Sequence, residues 1–274
     1  MTMAAMSIGT DRMGANDAGQ AAGLGPAVGR AIGKAAEAAT TDVRPPAVAA
    51  VVVPPRTALV RSRIPTLAAV AGLIGFGALF VLVRRNRTAA FDAALTLRIQ
   101  ASRNRALDGL MTAASWPGFP PQSRIIPPTI IAVLAAAGLR IEALFQTLAW
   151  GTALVSEVAK RFMGRARPVA GTDLRVVAAP LGGSSFPSGH VLTFVGTYGF
   201  LAFLVATLIR PVAIRRLVVA FLAGLIALVG PSRIQKGHHW PTDVTASYLL
   251  GMSYLVGVVG LYRRLKARRV NPAR

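Results

Sequence analysis

Residues 64–83 read IPTLAAVAGLIGFGALFVLV, an almost unbroken apolar run that closes on Arg84-Arg85. A helix rises about 1.5 Å per residue, so this run matches the roughly 30 Å of hydrocarbon in a bilayer. In lipid the backbone must satisfy its own hydrogen bonds, which a helix does within one segment. The run therefore decides the fold class: an all-α, polytopic membrane helix bundle. Further apolar runs at 125–139, 141–159, 190–209, 217–231 and 244–262 bring the expectation to about six transmembrane helices. The runs 125–139 and 217–231 are short for a span, so flanking polar residues or neighbouring helices must complete them.

Composition agrees. The chain has 274 residues, 53% of them hydrophobic, and its mean hydropathy is +0.53. A formal net charge of +21 would point to nucleic acid in a soluble protein. Here most of the Arg falls beside apolar runs, so anionic lipid headgroups are the predicted partner, at about 1 kcal/mol per juxtamembrane cation. With no cysteine the sequence excludes disulfides, thiolate metal sites and a thiol nucleophile.

Residues 1–60 are rich in Ala, Gly and Pro, with Pro45-Pro46 and Pro54-Pro55, and bury too little to fold alone; a disordered tail is expected. Residues 30–39 are read as a short surface helix. The opening Met-Thr-Met-Ala-Ala-Met lacks a cationic then apolar segment, so no cleavable signal peptide is expected and the first span acts as the anchor. Residues 61–265 form the expected membrane domain and 266–274 a basic tail. Leu107, Leu110, Met111 and Ala114, and earlier Phe91 with Leu95, recur at helical spacing, which predicts amphipathic helices between the first two spans, at the interface or packed on the core. The segment from Arg161 to Pro187 holds Gly164, Gly171, Pro180, Gly182 and Gly183 and is expected to be an irregular, headgroup-binding loop. An even number of spans puts both termini on one side; Arg210, Arg215, Arg216, Arg263, Arg264, Lys266, Arg268 and Arg269 mark that side cytoplasmic, against Arg84, Arg85 and Arg87.

Three strings in the second half carry the chemistry. Lys160 precedes Arg167-Pro168; Pro187-Ser188-Gly189-His190 opens an apolar run; Ser232-Arg233 is followed by His239 and Asp243. His239 and Asp243 stand four apart, on one helical face, where the carboxylate can take the imidazole Nδ1 proton and leave Nε2 free to attack phosphorus. His190 follows a turn at a helix start, where free amides favour an anion and the imidazole can protonate a leaving oxygen. Lys160, Arg167 and Arg233 supply cations for the charge that spreads over a phosphoryl transition state. Taken singly, each cation reads as a membrane-boundary side chain, the His-Asp pair more often as a surface hydrogen bond and His190 more often as a satisfied helix-end histidine; the company of the other strings decides. Carboxylates near the histidines are sparse, with Asp173 and Glu157 beside Asp243, and no zinc-type spacing occurs, so neither metal nor cofactor is predicted.

The pattern K-x6-R-P, P-S-G-H, S-R-x5-H-x3-D resembles the type-2 phosphatidic-acid phosphatase superfamily of membrane lipid-phosphate phosphatases. The resemblance runs from Lys160 to Asp243 and fills each fixed position. It implies that His239 is the nucleophile, Asp243 its partner and His190 the general acid, with Lys160, Arg167, Ser188, Gly189 and Arg233 binding the phosphate. It further implies metal-independent catalysis through a phosphohistidine, at the extracytoplasmic face of the cell membrane, on prenyl diphosphate, phosphatidate or phosphatidylglycerol phosphate. A phosphotransferase using an acceptor hydroxyl, and a catalytically silent lipid-binding scaffold, are the alternatives. His238 and Lys236 add local cations, and Trp240 stands where an interfacial aromatic is expected.

Overall fold

The computed structural model describes residues 55–270 except Arg103, Thr172, Ala178, Pro180 and Leu181, with side chains from Arg63 to Arg268. The tail predicted over 1–60 and the surface helix over 30–39 lie outside the described residues, save that the first helix already begins at Pro55. Among the described residues every regular element is helical. In order these are α1 Pro55–Arg84, α2 Ala89–Gln100, α3 Arg105–Ser115, a 3₁₀ turn Trp116–Gly118, α4 Gln122–Ala136, α5 Arg140–Trp150, α6 Thr152–Met163, α7 Gly189–Leu208, α8 Val212–Gln235 and α9 Pro241–Val270.

Four stretches are long and apolar enough to cross a membrane: Arg63–Arg84, Gly189–Leu208, Val212–Gln235 and Pro241–Arg268. They carry the predicted runs 64–83, 190–209, 217–231 and 244–262. The run 125–139 lies mostly in α4, of 15 residues. The run 141–159 is divided into α5 and α6 at Gly151. There the Tyr254 hydroxyl donates to the Leu148 carbonyl (2.7 Å) and the Thr152 hydroxyl to that of Ala149 (3.0 Å), so side chains take carbonyls that a continuous ladder would use.

α7 is apolar on all sides and is accordingly the central helix, packed against α5, α6, α8 and α9. Its Val191, Phe194, Val195 and Tyr198 meet Leu222 and Val229 of α8 and Val244 of α9 in one core cluster. Away from this cluster Phe145, Phe200 and Tyr262 stack with centroids 5.4–6.3 Å apart, beside Glu142, whose carboxylate receives the Tyr262 hydroxyl (2.7 Å) and pairs with Lys266 (2.6 Å). The basic tail predicted from 266 thus starts inside α9, which continues as helix to Val270. Outward-facing Leu154, Leu217 and Phe221 remain largely exposed, as lipid-facing side chains are.

Helices form at both predicted places, as α2 and α3, but only α3 is amphipathic as expected. In α3, Met111 and Ala114 are buried while Leu110 stays exposed. In α2 the buried stripe is not Phe91 and Leu95 but the polar one, Asp92, Thr96 and Gln100, spaced i, i+4, i+8. Phe91 points outward. A polar stripe is buried here because it meets polar partners, described next.

Candidate active site

The three sequence strings converge at one end of the bundle: the C-terminus of α6, the start of α7, and the turn between α8 and α9. The loop after α6 threads between them. Phe119, just past the 3₁₀ turn, marks the centre, because its ring lies 4.7 Å from that of His190, 6.1 Å from that of His238 and 4.7 Å from the Arg233 guanidinium. Gly118 permits this approach, since a Cβ there would lie 2.3 Å from His190 Cδ2.

His239 is 2% exposed. Its Nδ1 lies 2.7 Å from the Ser185 carbonyl oxygen and 3.7 Å from Asp243 Oδ2. A carbonyl only accepts, so Nδ1 carries the proton and Nε2 the lone pair. The predicted hydrogen bond from Nδ1 to Asp243 is therefore corrected: Ser185 receives the proton, and Asp243 acts on the ring through its charge. Arg167 Nη1 donates to Nε2 at 3.2 Å and to the His238 carbonyl at 2.8 Å. Burial lowers the pKa of His239, with the Asp243 carboxylate opposing, which favours the neutral ring a nucleophile needs. Arg167 is likewise pulled down by burial, against the Asp243 charge.

Asp243 is fully buried and has other work. It occupies the third position of α9 and accepts the Trp240 amide (2.9 Å), half of a capping box, with Pro241 at the first helical position. Its other oxygen pairs with Arg165 (2.5 Å). Trp240 donates its indole N–H to the Ala166 carbonyl (3.0 Å), and so latches the loop after α6 onto α9.

His238 serves as a support. Its Nε2 donates to the Val177 carbonyl (2.8 Å) and its Nδ1 accepts from Arg233 Nη1 (3.2 Å). Burial first, then the Arg233 charge, against the Val177 bond, push its pKa down to about 4, so it remains a neutral acceptor that steers Arg233. Gly237 before it has φ +69°, and a Cβ there would lie 2.3 Å from the Arg175 carbonyl. Lys236 turns away to the Thr112 hydroxyl (2.6 Å).

The remaining predicted residues lie close to this centre. Arg167 Nε, Ser188 Oγ, His190 Nε2 and Arg233 Nη2 are buried polar atoms without a protein partner. Buried polar groups are nearly always satisfied, so four orphans on residues grouped about Phe119 and His239 make this end of the bundle a candidate site for a polyoxygen ligand. Three of the four can only donate or can donate once protonated, which selects an anion. Ser188 is the N-cap of α7, in extended conformation and with its hydroxyl unspent on capping, while its amide is held by Ser247 (2.7 Å). Lys160 Nζ lies 3.4 Å from the position of a Gly189 Cβ, beside the α7 N-terminus, and pairs with the exposed Glu157 (2.7 Å). Among the described residues no three His, Asp or Glu side chains group as metal ligands would.

Sequence reasoning missed Ser185, Phe119, Arg165 and Asp92. The first acts through its backbone, which no side-chain pattern reports. The last was legible only as a polar stripe in an otherwise apolar helix.

Known proteins are similar to this chain over the same stretch. Residues 141–267 match the model of the PAP2 superfamily, a stretch that holds His190, His239 and the cations above. The chain is 28% identical over 197 residues to phosphatidylglycerophosphatase B of Bacillus subtilis, covering 68% of this chain and 91% of that protein. It is 40% identical over 113 residues to a lipid A 1-phosphatase of Rhizobium johnstonii, of which it covers 42%. The crystal structure of a transmembrane PAP2-type phosphatidylglycerolphosphate phosphatase from Bacillus subtilis superposes with a TM-score of 0.61 at 24% identity, over 72% of this chain and 96% of that one. That likeness speaks to the fold, a transmembrane helical bundle.

Proposed function

Residues 141–267 match the PAP2 superfamily model, and we propose that the chain is a member of that superfamily and a membrane lipid-phosphate phosphatase working through His239. The observation that carries this reading is the set of unpartnered polar atoms on Arg167, Ser188, His190 and Arg233, grouped near a histidine whose Nε2 carries the lone pair and is engaged only by Arg167, a cation that an anion can draw away.

A phosphate ester entering the site takes the Arg167 N–H groups away from His239 and meets Arg233, Ser188, Lys160 and the amides at the start of α7. Nε2 of His239 attacks the terminal phosphorus, the P–O bond to the leaving group breaks, and protonated His190 gives its proton to the departing oxygen. The products are a phosphohistidine and a lipid alcohol, or a lipid monophosphate where the substrate is a diphosphate. Water then attacks the phosphohistidine, returns a proton to His190 and leaves inorganic phosphate and free His239. The fixed cations bind the equatorial oxygens more strongly as charge develops on them, which is where the rate enhancement comes from. Positive charge already in place costs no reorganisation at that moment.

The substrate is read as a phosphorylated lipid, such as phosphatidylglycerol phosphate, phosphatidate or a prenyl diphosphate, because the site residues stand at the ends of helices long and apolar enough to cross a membrane and the similar proteins are named for lipid phosphates. The protein sits in the cell membrane with this end extracytoplasmic. A test of the activity measures free phosphate released by purified protein from a panel of lipid mono- and diphosphates. Wild type releases phosphate and His239→Ala does not while still inserting; equal release by both removes the mechanism. For the orientation, Gly182→Cys in a chain without native cysteine is labelled by an impermeant reagent outside intact cells. Labelling only from the cytoplasmic side inverts the topology.

A further inference from the structure

Beside His239 lies a second polar unit that the reaction scheme does not use. Asp92 of α2 is 1% exposed, yet α2 precedes the family-matched residues 141–267. Its Oδ1 accepts the Thr242 amide (2.9 Å), so one helix caps the N-terminus of another. Its Oδ2 accepts the Thr242 hydroxyl (2.8 Å) and pairs with Arg165 Nη2 (2.6 Å). Arg165 Nη1 reaches the same Thr242 hydroxyl (2.9 Å) and pairs with Asp243 Oδ1 (2.5 Å). One guanidinium is thus shared by two buried carboxylates, and the second of them stands 3.7 Å from the Nδ1 of His239. Arg165 is committed to these two carboxylates, whereas Arg167 two residues on turns to His239.

We propose that Asp92, acting through Arg165, is a positioning residue for the phosphatase reaction: it fixes the place and the charge of Asp243 and thereby those of His239. The inference rests on the reading of His239 as nucleophile. Two carboxylates and one guanidinium leave one net negative charge behind the imidazole. Removing Asp92 leaves Asp243 fully matched by Arg165, and removing Arg165 leaves two bare carboxylates. Charge at this distance acts on the His239 ring through low-dielectric protein, so the two changes move its ionisation in opposite directions. The other charged or titratable groups facing His239 are Arg167 of the loop, Arg233 and His238 at the end of α8, His190 at the start of α7 and Lys160 of α6; none changes in these variants.

The experiment measures the pH profile of kcat/KM for phosphate release from a short-chain lipid phosphate in detergent. Asp92→Asn is expected to move the acid limb, where His239 gains its proton, to lower pH, and Arg165→Gln to higher pH, each by about half a unit or more. Arg165→Lys keeps the charge without the fork, so it leaves the limb in place while kcat falls. If Asp92→Asn does not fold, the comparison of Arg165→Gln with Arg165→Lys decides on its own. Shifts of the same sign, or no shift, overturn the proposal. The same titration is read without turnover from the His239 ring nitrogens by NMR, assigned with His239→Ala. A wild type that releases no phosphate but shows the opposed shifts refutes the function and leaves the positioning role standing.

Discussion

Gly118→Ala separates catalysis from stability at a single atom. The new Cβ would lie 2.3 Å from His190 Cδ2 and 3.0 Å from both His190 Nε2 and Phe194 Cε2. Carbon atoms rest at about 3.5 Å or more, so the imidazole must retreat by about 1 Å, with Phe194 and the Phe119 ring limiting where it goes. Only side-chain atoms are struck, so the fold survives, at a cost of about 1–3 kcal/mol for overpacking that the melting temperature in detergent reports, and activity is compared on the folded protein. The acid is displaced from the leaving oxygen, and a misplacement of this size costs roughly 100-fold in kcat. The assay compares an alkyl lipid phosphate with an aryl phosphate. An aryl oxide departs without protonation, so its turnover falls far less. Retention of alkyl turnover within about threefold, or equal losses on both substrates, refutes the assignment of His190 as proton donor and the packing argument behind it.

Two further outcomes follow from the same geometry. His238 holds its pKa near 4 in the folded protein against an ordinary 6.5, so the unfolded chain binds the extra proton first. Its contribution is intact above about 6.5 and is lost as pH falls toward 4, by up to roughly 3 kcal/mol. Thermal melts across that window show a slope that His238→Gln, which keeps a donor and an acceptor but does not titrate, flattens; an unchanged slope rejects the assignment. Vanadate adopts the trigonal-bipyramidal shape of the transition state and is expected to inhibit competitively with substrate. Arg233→Lys, which loses the unpartnered Nη2, weakens that inhibition by roughly tenfold or more, and undiminished inhibition would remove Arg233 from the anion site.

What the sequence alone determined was whatever depends on neighbours along the chain. Apolar runs become helices in lipid by backbone hydrogen bonding within one segment, so the existence of α1, α7, α8 and α9 was readable, though not their ends or the length of α8 beyond its short apolar run. Ser188, Gly189 and His190 at a helix start, and Asp243 on the first turn of α9, were likewise local facts. The break at Gly151 was not, because it depends on the Tyr254 hydroxyl from α9. Nor was the true partner of His239: spacing put Asp243 on the right face, but the bundle brought in the Ser185 carbonyl from the α6–α7 loop, 54 residues away. Asp92 reaches Thr242 across 150 residues. Periodicity states which face of a helix is buried; only packing states against what. A hydrogen bond between distant segments is settled by angstroms of relative placement that no local pattern encodes.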